Sequence, residues 1–75
     1  MAHYENRGGD SPIVSYDFGE DSITLGLIDG SFYRYDYHSA GSANVEQMKK
    51  YAIIGHGLHG FIKRFVRKGA GIKLD

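Results

Sequence analysis

Apolar and polar positions change period along the chain, and the change divides it into a strand half and a helical half. In residues 12–18, Val14, Tyr16 and Phe18 alternate with Ser15 and Asp17, the period of two expected of a strand with one buried face. Gly19-Glu20-Asp21 reads as a turn. Residues 22–28 repeat the alternation, with Ile23, Leu25 and Leu27 set against Ser22, Thr24 and Gly26. Residues 31–37 form a third strand. Asp29-Gly30 before it is a hairpin signal, because glycine accepts φ > 0 without steric cost.

Loop length decides which face the third strand presents. A two-residue loop at Asp29-Gly30 sets Leu25 opposite Arg34 and Ile23 opposite Asp36, which puts charges on the apolar face. A three-residue loop, Ile28-Asp29-Gly30 with Gly30 in the left-handed bulge position, shifts the register by one. Leu25 then faces Tyr33 and Ile23 faces Tyr35. The bulged loop is the expected one, and it places Tyr33, Tyr35 and Tyr37 on the face of Ile23, Leu25 and Leu27.

Beyond a polar connection at residues 38–43, the period becomes helical. Asn44 is the expected N-cap, with Gln47 reaching back as in a capping box. A helix over residues 45–54 presents Val45, Met48, Tyr51 and Ala52, and Gly55 ends it. A second helix over residues 58–68 carries Leu58, Phe61, Ile62, Phe65 and Val66 as one apolar stripe. Lys63, Arg64, Arg67 and Lys68 spread over its other side, and Gly60 inside it costs ~1 kcal/mol relative to alanine. The expected class is α+β: a three-stranded antiparallel meander followed by two C-terminal helices packed on one face of the sheet. Residues 1–10 lack periodicity and read as a disordered tail. Residues 69–75 read as a flexible end, leaving 11–68 as a single β-β-β-α-α domain.

Composition narrows the function classes. The 75 residues include no Cys, so neither a disulfide nor a Cys-ligated zinc reinforces the core. No run approaches the ~20 apolar residues of a membrane span, no signal-peptide pattern opens the chain, and a cytoplasmic location is expected. A frame this small argues against an enzyme. The formal net charge of zero hides two opposed halves. Residues 1–45 hold two basic and seven acidic side chains, whereas residues 46–75 hold seven basic and two acidic. Lys63, Arg64, Arg67 and Lys68, with Lys49 and Lys50 from the first helix, form the basic surface. A polyanion backbone is attracted to such a surface through counterion release. A solvated helix face, an anionic membrane or a partner protein are the other readings of it.

Tyr33 and Tyr35 stand between two roles, stacking platforms for bases or core beneath the helices. Phe32, on the opposite face with Arg34, is the exposed aromatic candidate, although Asp36 shares that face. His56 and His59 in Gly-His-Gly-Leu-His-Gly lack the four ligands that structural zinc needs. None of the six serines lies in a nucleophile turn, and neither Gly-His-Gly nor Gly-Ala-Gly has the flanks of a phosphate loop. No metal, cofactor or small-molecule substrate is expected.

Ser11-Pro12-Ile13, Tyr16-Asp17, the run Ile23-x-Leu25-x-Leu27-x-Asp29-Gly30 and then Tyr33-Arg34-Tyr35 resemble the KTSC domain. This short module occurs at the C-terminus of some lysyl-tRNA synthetases and as free-standing bacterial or phage proteins. Ala52, Gly55, Gly57 and Phe61-Ile62 resemble its Ala- and Gly-containing helical segment. The chain departs from the family at His59, where a polar residue, often Asn, is usual, and in lacking a Tyr at residues 66–68. From its synthetase context the resemblance implies RNA binding. The expectation is a small non-catalytic module that binds RNA or another polyanion through its basic helical face. The alternative is a protein-interaction or homodimerisation module using an open sheet edge.

Overall fold

The computed structural model describes residues 1–9 and 11–74; Asp10 and Asp75 lie outside the described residues. In chain order the elements are β1 (Ala2–His3), β2 (Ile13–Phe18), β3 (Ser22–Leu27), β4 (Phe32–Asp36), α1 (Tyr37–Ala40), α2 (Ser42–Ile54), α3 (Leu58–Phe65) and β5 (Ile72–Leu74). The strands pair antiparallel in the order β1-β2-β3-β4-β5. The class is α+β with an antiparallel sheet, but with five strands and three helices in place of three and two.

β3 and β4 carry the expected register. Ile23 opposes Tyr35 and Leu25 opposes Tyr33. The loop between them is the bulged one, with Gly30 at φ 89° and the Leu27 N–H donating to the Ser31 carbonyl at 2.9 Å. The Asp29 carboxylate accepts from the Ser31 N–H and hydroxyl, which fastens the turn. β2 departs from simple alternation. Ile13 opposes Leu27 while Ser15 opposes Gly26, so Val14 is the extra residue of a β-bulge. Ile13 therefore takes the buried place that strict alternation assigns to Val14. On the other face of the sheet the Phe32 ring lies over Gly26, 3.1 Å from where a Cβ would stand, and fills the gap left by the glycine.

Both expected tails are parts of the fold. β1 pairs with β2, and Tyr4 beyond it is 1 % exposed in the core. At the other end β5 pairs with β4, and Ala70 is equally buried. These additions occupy the two edges that a three-stranded meander leaves open. The new edges are two and three residues long, and strands so short offer little backbone for pairing with another chain.

The helical half differs in its boundaries. Asp36 caps α1, accepting the Ser39 N–H at 2.7 Å while its own N–H donates to the Ser39 hydroxyl. This capping box turns the chain out of the sheet one residue before Tyr37. Tyr37 thus leaves the strand and is exposed, not packed beside Tyr35. α2 starts at Ser42 with Gly41 as N-cap. Asn44 lies inside the helix, where its amide donates to the carbonyls of Ala40 and Phe65 and ties three helices together. Gly55 ends α2 in the left-handed conformation, as expected. α3 stops at Phe65, short of residue 68, because Val66 turns extended and buries its side chain. Val45, Met48 and Ala52 of α2, with Leu58 and Val66, cover Ile13, Ile23, Leu25 and Tyr4. Among the described residues no helix is long and apolar enough to cross a membrane.

Candidate ligand groove

The early end of α3 shapes the surface beside it. The segment from Val66 to Gly71 leaves the helix and crosses back to β5, and the strip between α3 and the covered face of β4 is left as a groove. Its inner part is about 260 Å³, floored by Ile13, Leu25 and Leu27 and walled by Tyr33, His59 and Ile62. Its outer part is about 420 Å³, with Lys63, Arg67 and Lys68 around the mouth. Tyr35, Ile62, Gly69 and Gly71 belong to both parts, so the two are continuous.

Tyr35 stands at the junction. A Cβ on Gly71 would lie 2.7 Å from its Cζ and from its hydroxyl oxygen, so the ring rests against bare backbone. Burial, and then the neighbouring Tyr33, push the Tyr35 hydroxyl above the ordinary tyrosine pKa. That hydroxyl is accordingly a neutral group, and it has no hydrogen-bond partner among the described residues. The mouth is cationic and the interior is apolar with phenolic groups.

The basic residues singled out from the sequence do not all line the groove. Lys63, Arg67 and Lys68 meet at the groove, and Arg67 Nη2 donates to the Ser39 carbonyl at 3.4 Å. Arg64 is exposed but does not line the groove, and Lys50 is exposed on α2. Lys49 is engaged in the fold. Its Nζ donates to the carbonyls of Gly19 at 3.0 Å and Glu20 at 3.2 Å and pairs with Glu46 at 3.1 Å. It also lies 5.8 Å from the centre of the Phe18 ring, and its side chain is only 14 % exposed.

The aromatic candidates divide by strand alternation. Tyr33 and Tyr35 are half-buried and line the groove, while Phe32 points to the uncovered face with Arg34. Tyr35 packs against the core, and both tyrosines form part of the groove wall.

Gly69, Gly71 and Ile62 complete the groove and were not singled out as site residues. The small-residue run Gly-Ala-Gly is the one signal for them, since close approach of a ring to backbone demands it. His59 joins the groove from α3 and also borders, with His56, a second hollow of about 180 Å³ beside Tyr4 and Asn6. Among the described residues no three His, Asp or Glu side chains gather as a metal site would need. Comparison with family models, with curated proteins and with solved structures found no match for this chain.

Proposed function

We propose that this protein is a small non-catalytic binding module for RNA or another polyanion, with ligand phosphates held at Lys63, Arg67 and Lys68. One observation carries the reading: three cations from the end of α3 and the segment after it surround the mouth of a single groove. Arg64 and Lys50 add to the positive field without lining it. Lys49 contributes less, because its charge is already shared with Glu46 and two carbonyls. The Tyr33-Arg34-Tyr35 run behind the KTSC resemblance supplies both tyrosines of the groove, and the synthetase context of that family points to RNA.

Phosphate binding of this kind weakens with salt, because neutralised phosphates release condensed counterions. Three contacts to a single strand give a slope of log K against log salt of about −2. Fluorescence anisotropy of a labelled single-stranded RNA, titrated between ~50 and ~200 mM salt, reads that slope. Lys63→Glu with Arg67→Glu is expected to abolish binding at the upper salt. Absence of binding at the lower salt, or an affinity indifferent to both charge reversals, would remove the proposal.

A further inference from the structure

We infer that the inner part of the groove receives an unpaired nucleobase, so that the ligand is single-stranded nucleic acid held by one base and its adjacent phosphate. The inference rests on the reading of Lys63, Arg67 and Lys68 as a phosphate site, and it names what lies beside that phosphate. Charge is confined to the mouth. Further in, the walls are Leu25, Leu27, Ile62, two tyrosine rings and His59.

A chain of phosphates or sulfates alone has nothing to place in such an interior. A base offers an apolar face to the rings and a polar edge to hydroxyl and imidazole groups, as in single-strand readers that splay bases out against aromatic side chains. The Tyr35 hydroxyl meets that edge as a neutral donor and acceptor, without a partner of its own among the described residues. It sits where the apolar and cationic parts join, and sugar and phosphate must pass there when the base is inside and the phosphate is at the mouth. A duplex cannot use the interior, because its bases are paired and stacked within the helix.

The geometry also argues against a carboxylate-rich peptide, which satisfies the mouth but leaves the two tyrosines unused. Stacking of one base on aromatic side chains raises affinity by a factor of roughly 5 to 150.

The test is a competition measurement at one fixed ionic strength, using the intact chain. Its probes are a single-stranded RNA, an RNA duplex of the same length, inorganic polyphosphate and polyglutamate, each compared per charge. The expected result is single-stranded RNA ahead of the other three by at least about fivefold. Tyr33→Leu and His59→Ala, checked for folding by circular dichroism, should each narrow that lead. With a mononucleotide as probe, the ring resonances of Tyr33 and Tyr35 should shift in NMR spectra.

Equal affinity per charge for RNA and polyphosphate overturns the base site and leaves the polyanion reading standing. Preference for the duplex or for polyglutamate also overturns it. No binding by any probe overturns the phosphate site and the base site together.

Discussion

The hydroxyl of Tyr4 accepts the backbone N–H of Leu58 at 3.4 Å, from 54 residues away in the chain. Leu58 opens α3, whose N-cap Gly57 has no side chain to offer the unpaired N–H groups of the first turn. Tyr4 supplies the missing acceptor while its ring fills the core. Tyr4→Phe should lower stability by ~1 kcal/mol through loss of that buried hydrogen bond. Tyr4→Ala should cost about 3–5 kcal/mol, since it empties an aromatic site. Urea denaturation reads both, and an alanine variant as stable as the parent would refute this role.

Two glycines should respond to alanine with opposite signs. Gly55 has φ 79°, and a Cβ there would lie 2.7 Å from the Glu5 Cβ. Its carbonyl also accepts the Arg7 N–H at 2.8 Å, so the junction cannot shift freely. Gly55→Ala should cost about 2 kcal/mol from the left-handed conformation and the contact with Glu5. Gly60 lies within α3, and a Cβ there would meet only open space. Gly60→Ala should raise stability by up to ~1 kcal/mol. Thermal melts of the two variants should move in opposite directions.

Acid should lower the stability of the chain in a defined window. The Ser39 N–H holds the Asp36 carboxyl below the ordinary carboxylate pKa. Glu46 is lowered by the Tyr37 hydroxyl and then by Lys49, and Asp29 by the Ser31 hydroxyl and N–H. Groups lowered in the folded state stabilise it above their unfolded pKa values, and that contribution disappears as pH falls through the folded ones. The urea midpoint should therefore hold from neutrality to about pH 5 and decline below about pH 4. At the alkaline end Tyr35 and Tyr37 are raised, Tyr35 first by burial and Tyr37 first by its bond to Glu46. Their contribution is present below the ordinary tyrosine range and fades as pH rises through the folded values, above about pH 10. A midpoint unchanged down to about pH 2.5 would contradict these assignments.

Gly71→Ala probes the contact that shapes the groove. The new methyl would press on the end of the Tyr35 ring, which rests against the backbone at Gly71. Overpacking of this kind costs about 1–3 kcal/mol, read as a lower melting temperature. RNA affinity should fall as well, because either the ring or β5 must move. An unchanged melting temperature would show that Tyr35 and Gly71 are not in contact.

The parts of the groove were legible before their arrangement was. Tyr33 and Tyr35 follow from the bulged Asp29-Gly30 loop, which puts them on the covered face, and Lys63, Arg67 and Lys68 follow from composition. Their meeting depends on where α3 stops. Helical spacing continues through Val66 in the sequence, but burial of Val66 and Ala70 draws the chain away from the helix. Lys49 carries the same charge as its neighbour Lys50, yet its carbonyl acceptors lie 29 and 30 residues earlier, beyond the reach of any local pattern.

The sequence by itself determined the elements whose signals are local: the register of β3 on β4, the glycine end of α2 and the helical spacing of Leu58, Phe61 and Ile62 in α3, although Phe65 of the expected stripe is exposed and Val66 lies beyond the helix. Each rests on alternation, a turn residue or helical spacing within a few positions. Only the tertiary structure decided the remainder. β1 and β5 are two and three residues long, too short to show a period. They form because β2 and β4 present edges to which they can hydrogen-bond. The bulge at Val14 and the capping of α3 by Tyr4 have the same origin. In each, a distant partner offers burial or a hydrogen bond that outweighs a weak local preference.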